Sequence, residues 1–153
     1  MSTNAIDLLE QDHERVRKLL AELTETTNRA TKTRTGLLEK IAEELRIHTQ
    51  IEEEIFYPAF KDAGDKEFDR LNYEALEEHR AVEKLVLPDL LKTDPGTDQF
   101  AGRAKVLREL VEHHADEEES EMFPRARTAM SRDELETLGA QIQARKEALG
   151  EAH

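Results

Sequence analysis

The chain has 153 residues, with 22 Lys+Arg against 35 Asp+Glu for a formal net charge of −13, and no cysteine. A single domain of this length buries roughly 70% of the surface its unfolded chain exposes, so one core is expected and a second domain is not. The acidic balance repels phosphate backbones and anionic headgroups, which argues against nucleic-acid and membrane partners, and the lack of cysteine excludes disulfides, thiolate metal sites, Fe–S clusters and thiol nucleophiles.

Any metal must therefore be held by histidine, carboxylate or backbone oxygen. The N-terminal stretch MSTNAIDLLEQDHERV has neither a basic leader nor an apolar run, and no apolar window elsewhere is long enough to span a bilayer, so a cytoplasmic protein is expected.

Glu, Leu, Ala, Lys and Arg dominate, and nothing alternates at period two, so the class is all-α. The first helix is predicted over about residues 4–26, with Leu9, His13, Val16, Leu20 and Leu23 on one face. After a Thr-rich connection over 26–35, a second helix aligns Ile41, Leu45, His48, Glu52 and Ile55 and is expected to stop near Pro58. Gly64 and Asp65 punctuate the chain, and a third pattern aligns Leu76, His79, Val82, Glu83, Val86 and Leu90, with Pro88 bending its end. The stretch 92–98, which contains Pro95-Gly96, reads as a loop.

A fourth helix places Leu107, Leu110, Val111, His114 and Glu118 on one face and is expected to end before Pro124. A fifth, shorter helix opens at Ser131, where Ser-Arg-Asp-Glu reads as a capping box, and carries Leu135, Leu138, Ile142 and Leu149. Short connections between helices of about 30 Å favour antiparallel neighbours. The expected architecture is an up-down-up-down four-helix bundle over residues 1–125, with 126–153 forming a short extra C-terminal helix packed on it. The segments 48–58 and 114–124 share one frame, His then Glu then Pro, as if helices two and four were copies of one unit.

A buried polar group without a partner costs about 1–3 kcal/mol, and an unpaired carboxylate far more. Six such residues facing a bundle interior, His13, His48, Glu52, His79, His114 and Glu118, therefore need a common purpose, and a metal centre supplies one. Residues i and i+4 project side by side, so each His-x-x-x-Glu delivers one imidazole and one carboxylate to the same volume. Four imidazoles and two bridging carboxylates fill about eight positions against about six for one octahedral ion, so two ions fit better than one. An oxo or hydroxo bridge, with Glu83 from the third helix, would fill more positions and leave room for O2, peroxide or NO.

The set His13, His48/Glu52, His79 and His114/Glu118 resembles the hemerythrin-like (HHE cation-binding) proteins, over about residues 4–125. The resemblance implies a non-heme di-iron centre in which Glu52 and Glu118 bridge and the four histidines are terminal ligands. The same donors also bind zinc and manganese. Oxygen-carrying hemerythrins have His-x-x-x-His on the third helix, and here Glu83 stands at the second of those places. An anionic ligand favours ferric over ferrous iron, which moves the expectation from reversible carriage toward redox turnover or sensing.

Glu83 itself has two readings, a ligand or an acceptor for the N–H of a ligating histidine. The expected function is binding or turnover of O2, peroxide or NO in redox stress defence or sensing, with catalase-like, peroxidase-like or NO-related activity included. The alternative is an iron-responsive interaction or iron-handling module without turnover, acting on a protein partner.

His113 faces away from His114, since helix neighbours are about 100° apart, and reads either as solvated or as a residue supporting a ligand from outside; His153 at the terminus is assigned no role. In the acidic runs 52–54 and 117–119, all but Glu52 and Glu118 read as solvated. Phe56, Tyr57, Met122 and Phe123 read as core plugs, with Tyr57 also able to donate a hydrogen bond near the site. No nucleophile elbow, phosphate loop or dinucleotide fingerprint is present.

Overall fold

The computed structural model describes residues 3–151, and every regular element among them is helical. Helix α1 (Ala5–Thr24) starts where the Asn4 side chain accepts the Asp7 N–H at 2.9 Å, satisfying one of the donors left over at a helix start. Helices α2, α3 and α4 span 31–63, 66–91 and 98–129. Asp65 caps α3 by accepting from the Glu67 N–H, and Thr97 caps α4 by accepting from the Phe100 N–H. Helix α5 (Arg132–Glu151) opens on the predicted capping box: Ser131 Oγ accepts the Glu134 N–H and the Glu134 carboxylate accepts the Ser131 N–H, both at 3.1 Å. At 20 residues α5 equals α1 in length and is not the short helix expected.

Neither Pro58 nor Pro124 ends its helix, which corrects the expected stops. Proline lacks the N–H that would bond the carbonyl four residues back, and its ring crowds that carbonyl. The chain widens one turn instead. Glu52–Phe56, Val82–Val86 and Glu118–Met122 are π-helical, each closed by a bond from the next N–H to the carbonyl five residues back: Tyr57 to Glu52, Leu87 to Val82 and Phe123 to Glu118. The rods then run on to Ala63, Leu91 and Ala129.

Two apolar clusters stack along the bundle. One joins Ile6 and Leu9 of α1, Ile51, Phe56 and Phe60 of α2, Ala75 of α3, and Met122 and Phe123 of α4. The other joins Leu20 of α1, Leu38 and Ile41 of α2, Leu90 of α3, and Phe100 and Leu107 of α4. Each cluster takes opposite ends of successive helices, so the four rods run up, down, up and down. Leu135, Ile142 and Leu149 of α5 belong to the first cluster. The close seat of α5 depends on Gly139, where an added Cβ would stand 2.2 Å from the Thr3 carbonyl oxygen. At the far end the buried Arg34 guanidinium donates to Pro95 O at 2.6 Å and Thr26 Oγ1 at 2.9 Å, tying two loops together. No helix among the described residues is long and apolar enough to cross a membrane.

Candidate metal centre

Between the two clusters lies a polar layer. On α1 it falls between Leu9 and Val16, on α2 between Leu45 and Phe56, on α3 between Ala75 and Val82, and on α4 between Leu107 and Met122. It contains Asp12, His13, His48, Glu52, His79, His114 and Glu118, all buried. One ligand atom each from His13, His48, Glu52 and Glu118 fall within 4.8 Å of one another, and so do atoms from Glu52, His79 and His114. Glu52 belongs to both groups.

The separations match a coordination sphere. Donors bound at about 2.1 Å and at right angles to one another lie about 3 Å apart. His79 Nε2 and His114 Nε2 are 3.0 Å apart, and His79 Nε2 is 3.1 Å from Glu52 Oε1. His13 Nε2 is 3.0 Å from Glu118 Oε1, and His48 Nε2 is 3.1 Å from Glu52 Oε1. His48 Nε2 and Glu52 Oε2 are buried without a hydrogen-bond partner. Such orphans are costly in a protein interior, and a cation between them would satisfy both.

The outward faces of the imidazoles are held as consistently as the inward ones. Asp12 Oδ2 accepts from His48 Nδ1 at 2.7 Å, Glu53 from His79 Nδ1 at 2.8 Å, Glu78 from His114 Nδ1 at 2.7 Å, and Glu119 from His13 Nδ1 at 2.7 Å. The ring is cyclic: α1 holds the histidine of α2, α2 that of α3, α3 that of α4, and α4 that of α1. A proton fixed on Nδ1 leaves the Nε2 lone pair facing inward and raises its basicity. Glu53 and Glu119, expected as solvated, thus belong to the site. The readable signal is adjacency, for each outer acid sits next to an inner ligand: Asp12 beside His13, Glu53 beside Glu52, Glu78 beside His79, Glu119 beside Glu118.

The electrostatics follow from this crowding of carboxylates. Burial opposes charging His48, yet Glu52 and Asp12 overcome it and its pKa is pushed up to about 10. His13, His79 and His114 are raised in the same way, against burial, by their carboxylate partners. Burial works against the Glu52 carboxylate, but His48 and its other partners hold it well below the usual range. The layer draws positive charge, whether carried by protons or by metal.

Tyr57 is more than a plug. Its Oη donates to Glu118 Oε2 at 2.6 Å, lies 3.3 Å from Glu52 Oε1, and stands 3.2 Å from both His79 Nε2 and His114 Nε2. Burial, then the charges of Glu118 and Glu52, push its pKa well above the ordinary phenol value. It adds one more residue to the six of the two donor groups.

Glu83 gives no atom to either group. Pro88 follows His79 by nine residues, where Pro58 and Pro124 follow their histidines by ten. The π turn of α3 therefore begins at Val82, one place earlier than the Glu52 and Glu118 turns, and Glu83 leaves the register those two occupy. It is half-buried, and its carboxyl is pushed up by burial and by Glu53. His113 is exposed as expected, and His153 lies outside the described residues.

A cavity of about 40 Å³ adjoins the layer, bounded by its four histidines and by Val16, Leu45, Val82 and Val111. A water centre needs about 10–15 Å³ on this measure, so the space suits a molecule of two or three heavy atoms. Arg17 stands at its rim, paired with Glu119 at 3.0 Å and Asp116 at 2.7 Å.

Residues 4–126 match the family described as the hemerythrin HHE cation binding domain. The chain is 31% identical over 147 residues to the uncharacterized protein Rv2633c of Mycobacterium tuberculosis, covering 95% of this chain and 87% of that one. It is 27% identical over 146 residues to a DNA nickase of Nostoc sp., covering 94% of this chain and 39% of that one. Among solved structures it is similar to a hemerythrin HHE cation binding domain-containing protein from Mycobacterium kansasii, an Rv2633c homolog. That likeness has a TM-score of 0.83 and 30% identity, and covers 96% of this chain and 87% of that one.

Proposed function

The chain belongs to the hemerythrin HHE cation-binding domain family, and from that premise we propose that its polar layer holds two iron ions and binds or turns over O2, peroxide or NO in redox defence or sensing. The observation that carries this reading is the sharing of Glu52 between two donor groups whose imidazoles all turn Nε2 inward. His13, His48, Glu52 and Glu118 would hold one ion, and Glu52, His79 and His114, with Tyr57 adjoining, the other. Neither set reaches the six donors of an octahedral ion, which leaves room for a bridging group and a small exogenous ligand.

Bound iron supplies the electrons and the open coordination position that such an oxidant requires. The surrounding residues do the rest. The valine and leucine walls of the 40 Å³ cavity admit small uncharged molecules and disfavour charged ones. Tyr57 keeps a proton at Oη beside Glu118, in reach of the inner nitrogens. The name of the Nostoc relative describes that protein, of which this chain spans 39%, and a net charge of −13 disfavours a DNA substrate here.

Protein produced in iron-replete medium is expected to carry about two iron per chain, with a near-UV band of oxidised iron that Glu52→Ala abolishes. A wild-type chain that stays metal-free, with a melting temperature indifferent to added iron, would overturn the reading. Peroxide consumption by the loaded protein marks a catalyst, and spectral shifts without consumption mark a binder or sensor.

A further inference from the structure

The donors of the polar layer are less than one-tenth exposed, so an ion needs a route to them. The 40 Å³ cavity presents mainly valine and leucine surface and carries the Arg17 guanidinium at its rim, so it offers a hydrated cation little in exchange for its water. The outer carboxylates differ in what stands behind them. Asp12 is backed by Arg15 and Lys146, and Glu119 by Arg17 at 3.0 Å. These fixed cations close the seams that α1 makes with its neighbours.

Behind Glu78 the arrangement is of another kind. His113 Nε2 lies 3.6 Å from Glu78 Oε2 and 3.1 Å from Glu117 Oε1, and ligand atoms of the three fall within 4.8 Å of one another. His113 is 62% exposed, so the cluster opens to solvent. Beside it a narrow fissure of about 10 Å³ between α3 and α4 connects Glu74, Glu78, Glu117 and Met122 with His114 and Glu118. Among the described residues no lysine or arginine lines it. Glu78 spans both sides, with Oε2 toward His113 and Oε1 accepting from His114 Nδ1.

We propose that Glu78, His113 and Glu117 form an outer, exchangeable site for a divalent transition-metal cation, from which ions pass along the acidic fissure to His114 and Glu118. One imidazole and two carboxylates form a borderline donor set that suits Fe²⁺, Zn²⁺ or Mn²⁺. With water completing the sphere, the outer ion binds more weakly than a buried one and can leave. The proposal rests on reading the polar layer as a metal centre.

The test compares chelator-stripped wild type, a His113→Ala/Glu117→Gln double variant, and Glu109→Gln, which removes one exposed charge elsewhere on α4. In Zn²⁺ titrations the wild type is expected to bind two ions tightly and a third more weakly, and the double variant to keep the two and lose the third. In rapid mixing with Fe²⁺ without oxygen, the tight sites of the double variant should fill about tenfold more slowly, and those of Glu109→Gln at the wild-type rate. Two tight ions in the double variant with the third ion retained, or with filling as fast as wild type, overturn the outer site alone. Equal slowing in Glu109→Gln also overturns it, since bulk charge would then suffice. Absence of tight ions from all three proteins would remove the buried centre and the outer site together.

Discussion

The phenol oxygen of Tyr57 touches the His79 and His114 imidazoles and the Glu52 and Glu118 carboxylates. Phenylalanine would keep the ring stacked on His79 and packed against Phe56, so the fold should lose about 1–3 kcal/mol, for the donor removed from the buried Glu118 carboxylate. An ion at His79 and His114 would lose an adjoining oxygen, so Tyr57→Phe is expected to weaken that half of the centre about 10–100-fold, and the His13/His48 half less, through the freed Glu118 carboxylate. Calorimetric Zn²⁺ titration resolves the two, and wild-type affinity at both would refute the role. The six inner donors were legible because i and i+4 spacing within an apolar stripe is a local signal. The ring of outer acids was not, because Glu53 and Glu119 are partly exposed, belong to acidic runs, and meet their histidines on other helices. Tyr57 was legible as a core plug able to donate a hydrogen bond near the site, but not as a neighbour of four donors, because the π turn is what sets it on the inward face together with Glu52 and Phe56.

The helices themselves show how one missing N–H is turned to use. A straight α-helix through position 57 would set Tyr57 about 140° around from Glu52, and the widened turn before Pro58 is what lets both point inward. Proline read from sequence as a stop is therefore a register device, and only the backbone's response reveals it. The same applies to α5, whose capping box and apolar stripe were readable but whose reach into the site was not. Its Lys146 ammonium pairs with the buried Asp12, whose other oxygen holds His48. Lys146→Met is expected to cost on the order of 1–3 kcal/mol by leaving Asp12 Oδ1 with Arg15 alone, and to loosen an ion held at His13 and His48. The neighbouring Arg145 pairs with Glu54 at 2.8 Å in the open, so Arg145→Ala should change stability by less than about 1 kcal/mol. Denaturant melts of both variants, with and without Zn²⁺, check this; equal effects would mean that α5 serves the site only by docking.

At the scale of the molecule, the bundle places a band of acids and imidazoles between two apolar plugs, and its stability must depend on what neutralises that band. The His48 pKa stands at about 10 against an ordinary value of 6.5, with His13, His79 and His114 raised as well. A histidine raised on folding stabilises fully below its unfolded pKa, and that contribution fades as pH climbs through the folded one. Glu119, held down at about 2 from 4.5, works in the opposite sense: its contribution is present above 4.5 and fades as pH falls toward 2. The metal-free protein should accordingly be most stable between about pH 4.5 and 6.5 and lose stability steadily toward pH 10. Metal replaces the protons on Nε2, so loading releases protons and its affinity grows with pH. The gap in melting temperature between loaded and stripped protein is therefore expected to widen from about pH 6.5 upward. Calorimetry across about pH 5 to 9 measures it. A gap that stays constant or narrows would mean that protons and metal do not compete for the same four nitrogens.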